Sequence, residues 1–306
     1  AYTLSTAGAE KPRLALVHSL GMDRHFWAPV TQALAGRVNV LTVDCRGHGQ
    51  SDKPAGPYST HQFADDLKDV FDAIGWSSAV VAGASMGGCV ALQFAANHPD
   101  KTDGLGLIDT TSWYGATAPQ DWATRAQRAL DEGLSALVEF QLSRWFSDDF
   151  RAAHPAVVKT CVDTFLRNDP TAFAATCHML GSFDGRSALP SIQVPTTIMV
   201  GEQDYATPLA MAQAMKDAMA HAKFQVIPQA KHLTPLECSE VVAHALAELL
   251  QASGLQHPKD LTTTHIACRT ADNHISLLAS LYPGITPGSL LAGDLERPLF
   301  QIGWPM

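Results

Sequence analysis

Apolar and polar positions along this chain follow two alternating rhythms. Short apolar or β-branched runs occur at residues 14–17, 38–43, 79–83 and 105–108. Each is too short for a helix and is bounded by polar or turn residues, so each reads as a buried strand. Between them, residues 27–35, 60–74 and 86–97 place apolar side chains at three- and four-residue spacing, the signature of amphipathic helices. Strands alternating with helices predict a parallel sheet covered on its faces by helices.

The rhythm breaks after Asp109. Residues 113–190 read as helices only, with Trp113, Trp122, Phe140, Trp145, Phe146 and Phe165 spread among polar residues, which suggests a helical cap inserted after a strand ending near Asp109. Strand patterns return at 196–200 and 224–227, and an amphipathic helix over 237–250 closes the pattern. The predicted organisation is therefore a core over 1–112 and 191–250, a helical cap over 113–190, and a C-terminal extension over 251–306 to which no role is assigned. The extension is richer in Gly and Pro than the rest of the chain, yet it carries an apolar stretch over 275–281. That stretch favours docking over a free tail, with oligomerisation or reshaping of the cap entrance as the other roles it could serve.

Composition narrows the classes. A chain of 306 residues with 46% hydrophobic and 17% charged side chains has the material for a large core and excludes a disordered or fibrous protein. A formal charge of −9 with no Lys/Arg run argues against nucleic acid and anionic membranes as partners. The six cysteines form no C-x-x-C pair, no basic start leads into an apolar run, and nowhere do eighteen apolar residues run together. The expectation is a cytoplasmic protein that neither crosses nor binds a membrane.

The chemistry starts at Gly83-Ala84-Ser85-Met86-Gly87, a G-x-S-x-G sequence between a predicted strand and a predicted helix. A serine in so tight a turn needs neighbours without bulk, and the turn aims its hydroxyl at a helix N-terminus that favours developing negative charge. A serine hydroxyl is a weak nucleophile until a base takes its proton and an acid orients that base, in the chain order Ser, acid, His. Asp204 follows the strand at 196–200, and His232 follows the strand at 224–227, so both fall at the same sheet edge as Ser85. Asp204 could instead cap the helix beginning near Thr207-Pro208, and Asp109 is the reserve acid. The oxyanion donors expected are the backbone N–H groups of Met86 and of Leu20, the latter in the loop His18-Ser19-Leu20-Gly21 after the first strand of the alternating pattern. His18 is expected to brace that loop.

With these residues in place, the chain resembles the α/β-hydrolase fold superfamily over residues 10 to 250. The motifs that carry the likeness are 18–21, Asp44-Cys45-Arg46-Gly47-His48-Gly49-Gln50-Ser51, 83–87, and Asp204 with His232. Within it the chain is most similar to 3-oxoadipate enol-lactonases, through Asp109-Thr110-Thr111-Ser112-Trp113 and Ser143-Arg144-Trp145-Phe146. The resemblance implies hydrolysis of a small lactone or ester through an acyl-Ser85 intermediate, with no metal or organic cofactor. It also implies Trp27, Trp113 and Trp145 as pocket walls, with Arg144 and Arg167 as the cations an anionic substrate would need. Carbon–carbon bond hydrolysis of a vinylogous diketone by the same triad is the alternative activity, and a non-catalytic ligand-binding role on the same fold is the reading from another class.

Overall fold

The computed structural model describes residues 1–254, together with the backbone of two short strands further on. Seven strands form one sheet: β1 (Tyr2–Ser5), β2 (Arg13–Val17), β3 (Asn39–Val43), β4 (Ala79–Ala84), β5 (Thr102–Ile108), β6 (Thr196–Gly201) and β7 (Lys223–Ile227). Their spatial order is β1-β3-β2-β4-β5-β6-β7, with β1 antiparallel to β3 and every other pairing parallel. The mostly parallel sheet flanked by helices is the α/β-hydrolase fold expected from the sequence. Strands β2 to β6 are buried almost throughout, as a sheet covered on both faces requires. The strand absent from the sequence reading is β1, an edge strand whose residues are mostly exposed and so lack an apolar run.

Helices α1 (Ala28–Ala33), α2 (Thr60–Ile74) and α3 (Met86–Asn97) connect the early strands. The expected helix at 27–35 is shorter than the pattern suggested: a 3-10 turn over Arg24–Trp27, capped by the Asp23 side chain on the His25 N–H, precedes α1. Helix α2 matches its expected bounds because both ends are fixed locally. Ser59 and Gln62 form a reciprocal capping box at its start, and Gly75 adopts a left-handed φ of 72° after its last turn.

Five helices lie between β5 and β6: α4 (Ala118–Glu132), α5 (Val138–Trp145), α6 (Asp148–Ala153), α7 (Pro155–Leu166) and α8 (Pro170–Gly181). Each of α4, α7 and α8 opens with Pro in its first turn, where a missing N–H costs nothing. Helices α9 (Leu209–Ala218), α10 (Thr234–Glu237) and α11 (Ser239–Ser253) complete the first compact unit, Ala1–Gly254. Beyond it, β8 (Ala267–Arg269) pairs antiparallel with β9 (Ile275–Leu277). The expectations about docking, oligomerisation or entrance shaping by 251–306 lie outside the described residues.

What this architecture does for function is to collect loops. The segments after β2, β4, β5, β6 and β7 all leave the same edge of a parallel sheet, and β2 and β4 are neighbours where the strand order reverses direction. The crevice at such a reversal is where open α/β sheets bind ligands.

Candidate active site

Ser85 stands between β4 and α3 with φ 55° and ψ −117°, a conformation that L-residues adopt only when the surroundings impose it. Its N–H donates to Ile108 O at 2.9 Å, and its own carbonyl accepts from Gly88 N–H and from the Thr110 hydroxyl at 2.7 Å. The flanking glycines are obligatory on steric grounds. A Cβ at Gly83 would sit 1.9 Å from Gly87 O, and one at Gly87 would sit 2.1 Å from Val17 O. The strained turn is thus clamped by two neighbouring strands and a helix start that no side chain can enter.

Three side chains from three loops meet there. His232 Nε2 lies 2.8 Å from Ser85 Oγ, and His232 Nδ1 lies 2.7 Å from Asp204 Oδ2, with all three residues buried. The carboxylate fixes the tautomer: Nδ1 carries the proton and donates, which leaves Nε2 free to accept from the serine hydroxyl. Asp204 makes the contact to His232 that an orienting acid needs, and instead of capping the helix, which begins at Leu209 after Pro208, it closes the turn before it. Its Oδ1 accepts the N–H groups of Ala206 and Thr207 as a turn cap, while Oδ2 takes His232 and the Thr207 hydroxyl. Burial alone would raise the Asp204 pKa, but the charge and hydrogen bond of His232 and the Thr207 donors hold it below the usual carboxylate value. Burial alone would lower the His232 pKa, and the Asp204 charge and hydrogen bond, with Asp109 adding to them, raise it instead.

Asp109, the reserve acid, does not reach the imidazole with either of its bonded oxygens. Oδ1 accepts Gly201 N–H at 3.0 Å, and Oδ2 accepts the Thr234 N–H at 3.0 Å and the Thr234 hydroxyl at 2.6 Å. It ties the end of β6 to the start of α10, and so joins the two loops that carry Asp204 and His232. Its pKa is pushed up to about 8, by burial first and then by the negative charge of Asp204.

Leu20 and Ser19 line the space above Ser85. Among the described residues, neither the Leu20 nor the Met86 N–H has a backbone acceptor outside helices and strands, Leu20 lines the cavity with Ser85, and Met86 follows Ser85 directly in the chain. His18 braces this loop: its Nε2 accepts Cys45 N–H at 3.0 Å, so Nδ1 carries the proton and donates to Ser19 O at 2.8 Å. Burial keeps His18 below its usual pKa, and therefore neutral. Gly21, at φ 74°, lets the loop turn directly under the Phe165 ring, and its carbonyl accepts the Asn168 amide at 2.8 Å.

A cavity of about 450 Å³ opens from Ser85 and His232 and is roofed by Trp122, Arg125, Phe140, Arg144 and Trp145. Of the five residues expected to contact substrate, Arg144 and Trp145 line this cavity, and Trp27, Trp113 and Arg167 lie elsewhere. Trp27 is fully buried in the 3-10 turn before α1, in edge contact with Phe26. Trp113 is bridged to Asp184 and lies under the Arg186 guanidinium. Arg167, just past the end of α7, has an exposed side chain near Asp23, 3.7 Å away.

The residue missed by sequence reading is Arg125. Its guanidinium lies 4.3 Å from the Trp122 ring and 4.6 Å from the Phe140 ring, while Arg144 lies 3.9 Å from the same Phe140 and 4.9 Å from Tyr205. Among the described residues neither arginine has a carboxylate within ion-pair distance, whereas Arg24, Arg46, Arg128, Arg151 and Arg186 each do. Burial lowers the Arg125 pKa. The signal that could have found it is the i, i+3 spacing of Trp122 and Arg125 on one amphipathic helix, which stacks a cation on an aromatic face.

Comparisons with known proteins agree with this fold. A family model described as the alpha/beta hydrolase fold matches residues 12–237. The chain is 27% identical to 3-oxoadipate enol-lactonase 2 of Acinetobacter baylyi over 243 residues, which is 79% of this chain and 90% of that protein. It is 30% identical to 3-oxoadipate enol-lactonase 1 of the same organism, over 75% of this chain and 85% of that one. The crystal structure of the enol-lactonase from Burkholderia xenovorans LB400 superposes with a TM-score of 0.78 at 31% identity, covering 82% of this chain and 95% of that chain. No described helix is long and apolar enough to cross a membrane.

Proposed function

The chain belongs to the α/β-hydrolase fold family and is a hydrolase; from that premise we propose that it cleaves a small lactone or carboxylic ester bearing a carboxylate, through an acyl-Ser85 intermediate. The observation that carries the reading is the unbroken line of hydrogen bonds from Asp204 to His232 to Ser85 at 2.7 and 2.8 Å, ending on a cavity.

In this reading His232 Nε2 takes the Ser85 proton as Oγ attacks the substrate carbonyl carbon. The oxyanion that forms is held by the N–H groups of Leu20 and Met86. Collapse of the tetrahedral intermediate breaks the carbonyl carbon–oxygen bond, and His232 returns its proton to the departing oxygen. For a lactone that oxygen stays on the same molecule, tethered through the acyl-serine. His232 then takes a proton from water, the hydroxide attacks the acyl carbon, and Ser85 leaves with the proton restored. Asp204 stays ionised throughout and stabilises the imidazolium.

The substrate charge follows from Arg125 and Arg144. Two guanidinium groups line the cavity with no carboxylate within ion-pair distance, Asp121 being the one acidic residue in that lining, and in a protein of net charge −9 they form a local anion site. The names of the similar enol-lactonases support the lactone half of the proposal.

The test is turnover of three substrate types by the wild type and by Ser85→Ala. These are a carboxylate-bearing lactone, a neutral ester of similar size, and a vinylogous diketone. The expected result is fastest turnover of the charged lactone, abolished in Ser85→Ala. A Ser85→Ala protein at full rate, or a preference for the diketone, would overturn the reading.

A further inference from the structure

The base-bearing segment does not hang free from the sheet. Helix α5 ends at Trp145 because Phe146 turns to extended backbone, and a helix end leaves its last carbonyls without intrahelical partners. Three consecutive carbonyls of that last turn are filled by three consecutive residues around the base. Ser143 O accepts from Lys231 Nζ at 3.1 Å, Arg144 O from His232 N–H at 3.4 Å, and Trp145 O from Leu233 N–H at 3.0 Å.

One N–H of the segment remains, that of Lys231, and Glu237 takes it. Oε2 of Glu237 accepts Lys231 N–H at 3.0 Å, while Oε1 accepts the Ser147 N–H at 3.1 Å and the Ser147 hydroxyl. Glu237 is half-buried at the end of α10, five residues beyond His232, and does not line the cavity that holds Ser85. A single carboxylate thus fastens the backbone just before the base to the backbone just after α5. A carboxylate suits this position because all three groups bonded to it are donors, and each such charge-assisted bond is stronger than a neutral one.

We propose that Glu237 is a positioning residue for the general base, acting through Lys231 to hold the His232 segment in register with the last turn of α5. The inference rests on reading His232 as the base. It also gives α5 a double role, because Arg144 presents its side chain to the cavity and its carbonyl to the N–H of His232. Glutamine at 237 keeps the shape but turns an NH2 group toward either Lys231 N–H or Ser147, so one side of the tie is lost. Displacement of a reacting group by about 1 Å costs on the order of 10²-fold in rate.

The experiment measures kcat and KM for p-nitrophenyl acetate, and the second-order rate of labelling by a fluorophosphonate, in the wild type, Glu237→Gln, Ser147→Ala and the control Glu240→Gln. Rates are counted per titrated serine, so unfolded molecules drop out. The expected result is at least a tenfold fall in kcat and in labelling rate for Glu237→Gln, with KM within threefold. Ser147→Ala, which removes one of the three donors to Glu237, should lose a smaller factor of about two to five, and Glu240→Gln none. A Glu237→Gln protein at the wild-type rate per titrated site overturns the inference. Should that variant not fold, Ser147→Ala at the full wild-type rate overturns it alone. If the wild type itself neither hydrolyses the ester nor takes the label, the reading of His232 as base fails, and this inference falls with it.

Discussion

The carboxylate of Asp204 lies 2.7 Å from Nδ1 of His232 and also accepts the Thr207 hydroxyl at 2.8 Å, with both carboxylate and imidazole shielded from water. An imidazole held this way gains a proton more readily than a free histidine, and it must lose that proton to act as a base. The acid limb of kcat/KM should therefore lie above pH 6.5, the ordinary histidine value. Asp204→Asn should move that limb down and cut turnover on the order of 10⁴-fold, since the amide no longer fixes the tautomer. A pH–rate profile of both proteins checks this.

The same pair sets a window of stability. His232, raised in the fold, contributes stability that is complete below pH 6.5 and lost as pH rises through its folded value. Asp204, lowered in the fold, contributes stability that is present above its unfolded value of 3.8 and lost as pH falls through its folded value. Thermal melts across pH should show a maximum between those limits, flattened in the Asp204→Asn variant.

Asp109 should show the same slope as His232 and the opposite of Asp204. Raised from 3.8 to about 8, it contributes most stability below pH 4 and progressively less as pH climbs toward 8. The difference in melting temperature between wild type and Asp109→Asn should therefore shrink from pH 5 to pH 9. Asparagine tolerates the left-handed φ of 46° at this position. Asp109→Ala, which leaves the Gly201 and Thr234 donors without an acceptor, should cost about 2–4 kcal/mol in unfolding free energy, read by urea denaturation.

Replacing Arg125 or Arg144 with Met keeps the bulk against Phe140 and removes the charge. For a carboxylate-bearing substrate, KM should rise about 10- to 100-fold for either variant, the worth of a lost charge-assisted hydrogen bond. For a neutral ester KM should stay within about threefold. Equal effects on the two substrates would remove the anion site from the argument.

The elbow admits no side chain. Gly83→Ala or Gly87→Ala puts a Cβ at 1.9 or 2.1 Å from a backbone carbonyl oxygen, and no flexible group can give way. Either change should cost more than about 4 kcal/mol, a large share of the roughly 5–15 kcal/mol that holds a typical domain together, and lower the midpoint of urea denaturation followed by circular dichroism accordingly.

These outcomes bear on what the linear text discloses. The positions of Ser85, Asp204 and His232 were legible because each is constrained locally, by an obligatory glycine turn or by its place just beyond a strand. Helix α2 was legible to the residue for the same reason, through its Ser59 cap and Gly75 terminator. The roof of the cavity was not. Whether an arginine on an amphipathic helix faces a cavity or water depends on how five helices pack; the i, i+3 spacing of Trp122 and Arg125 signals their stacking but not which way the pair faces. The aromatic residues Trp27 and Trp113 misled for a related reason: large rings fill core and cavity alike, and composition does not distinguish the two.

Arg144 has a practical meaning for anyone redesigning this enzyme. In the proposed mechanism, a residue whose guanidinium lines the cavity while its carbonyl accepts the His232 N–H links selectivity to reactivity, so changes that shift the α5 backbone, unlike a side-chain swap that leaves it in place, should move both. Libraries that seek new specificities should spare α5 and mutate α4, where Trp122 and Arg125 line the same cavity and neither bonds to the His232 segment.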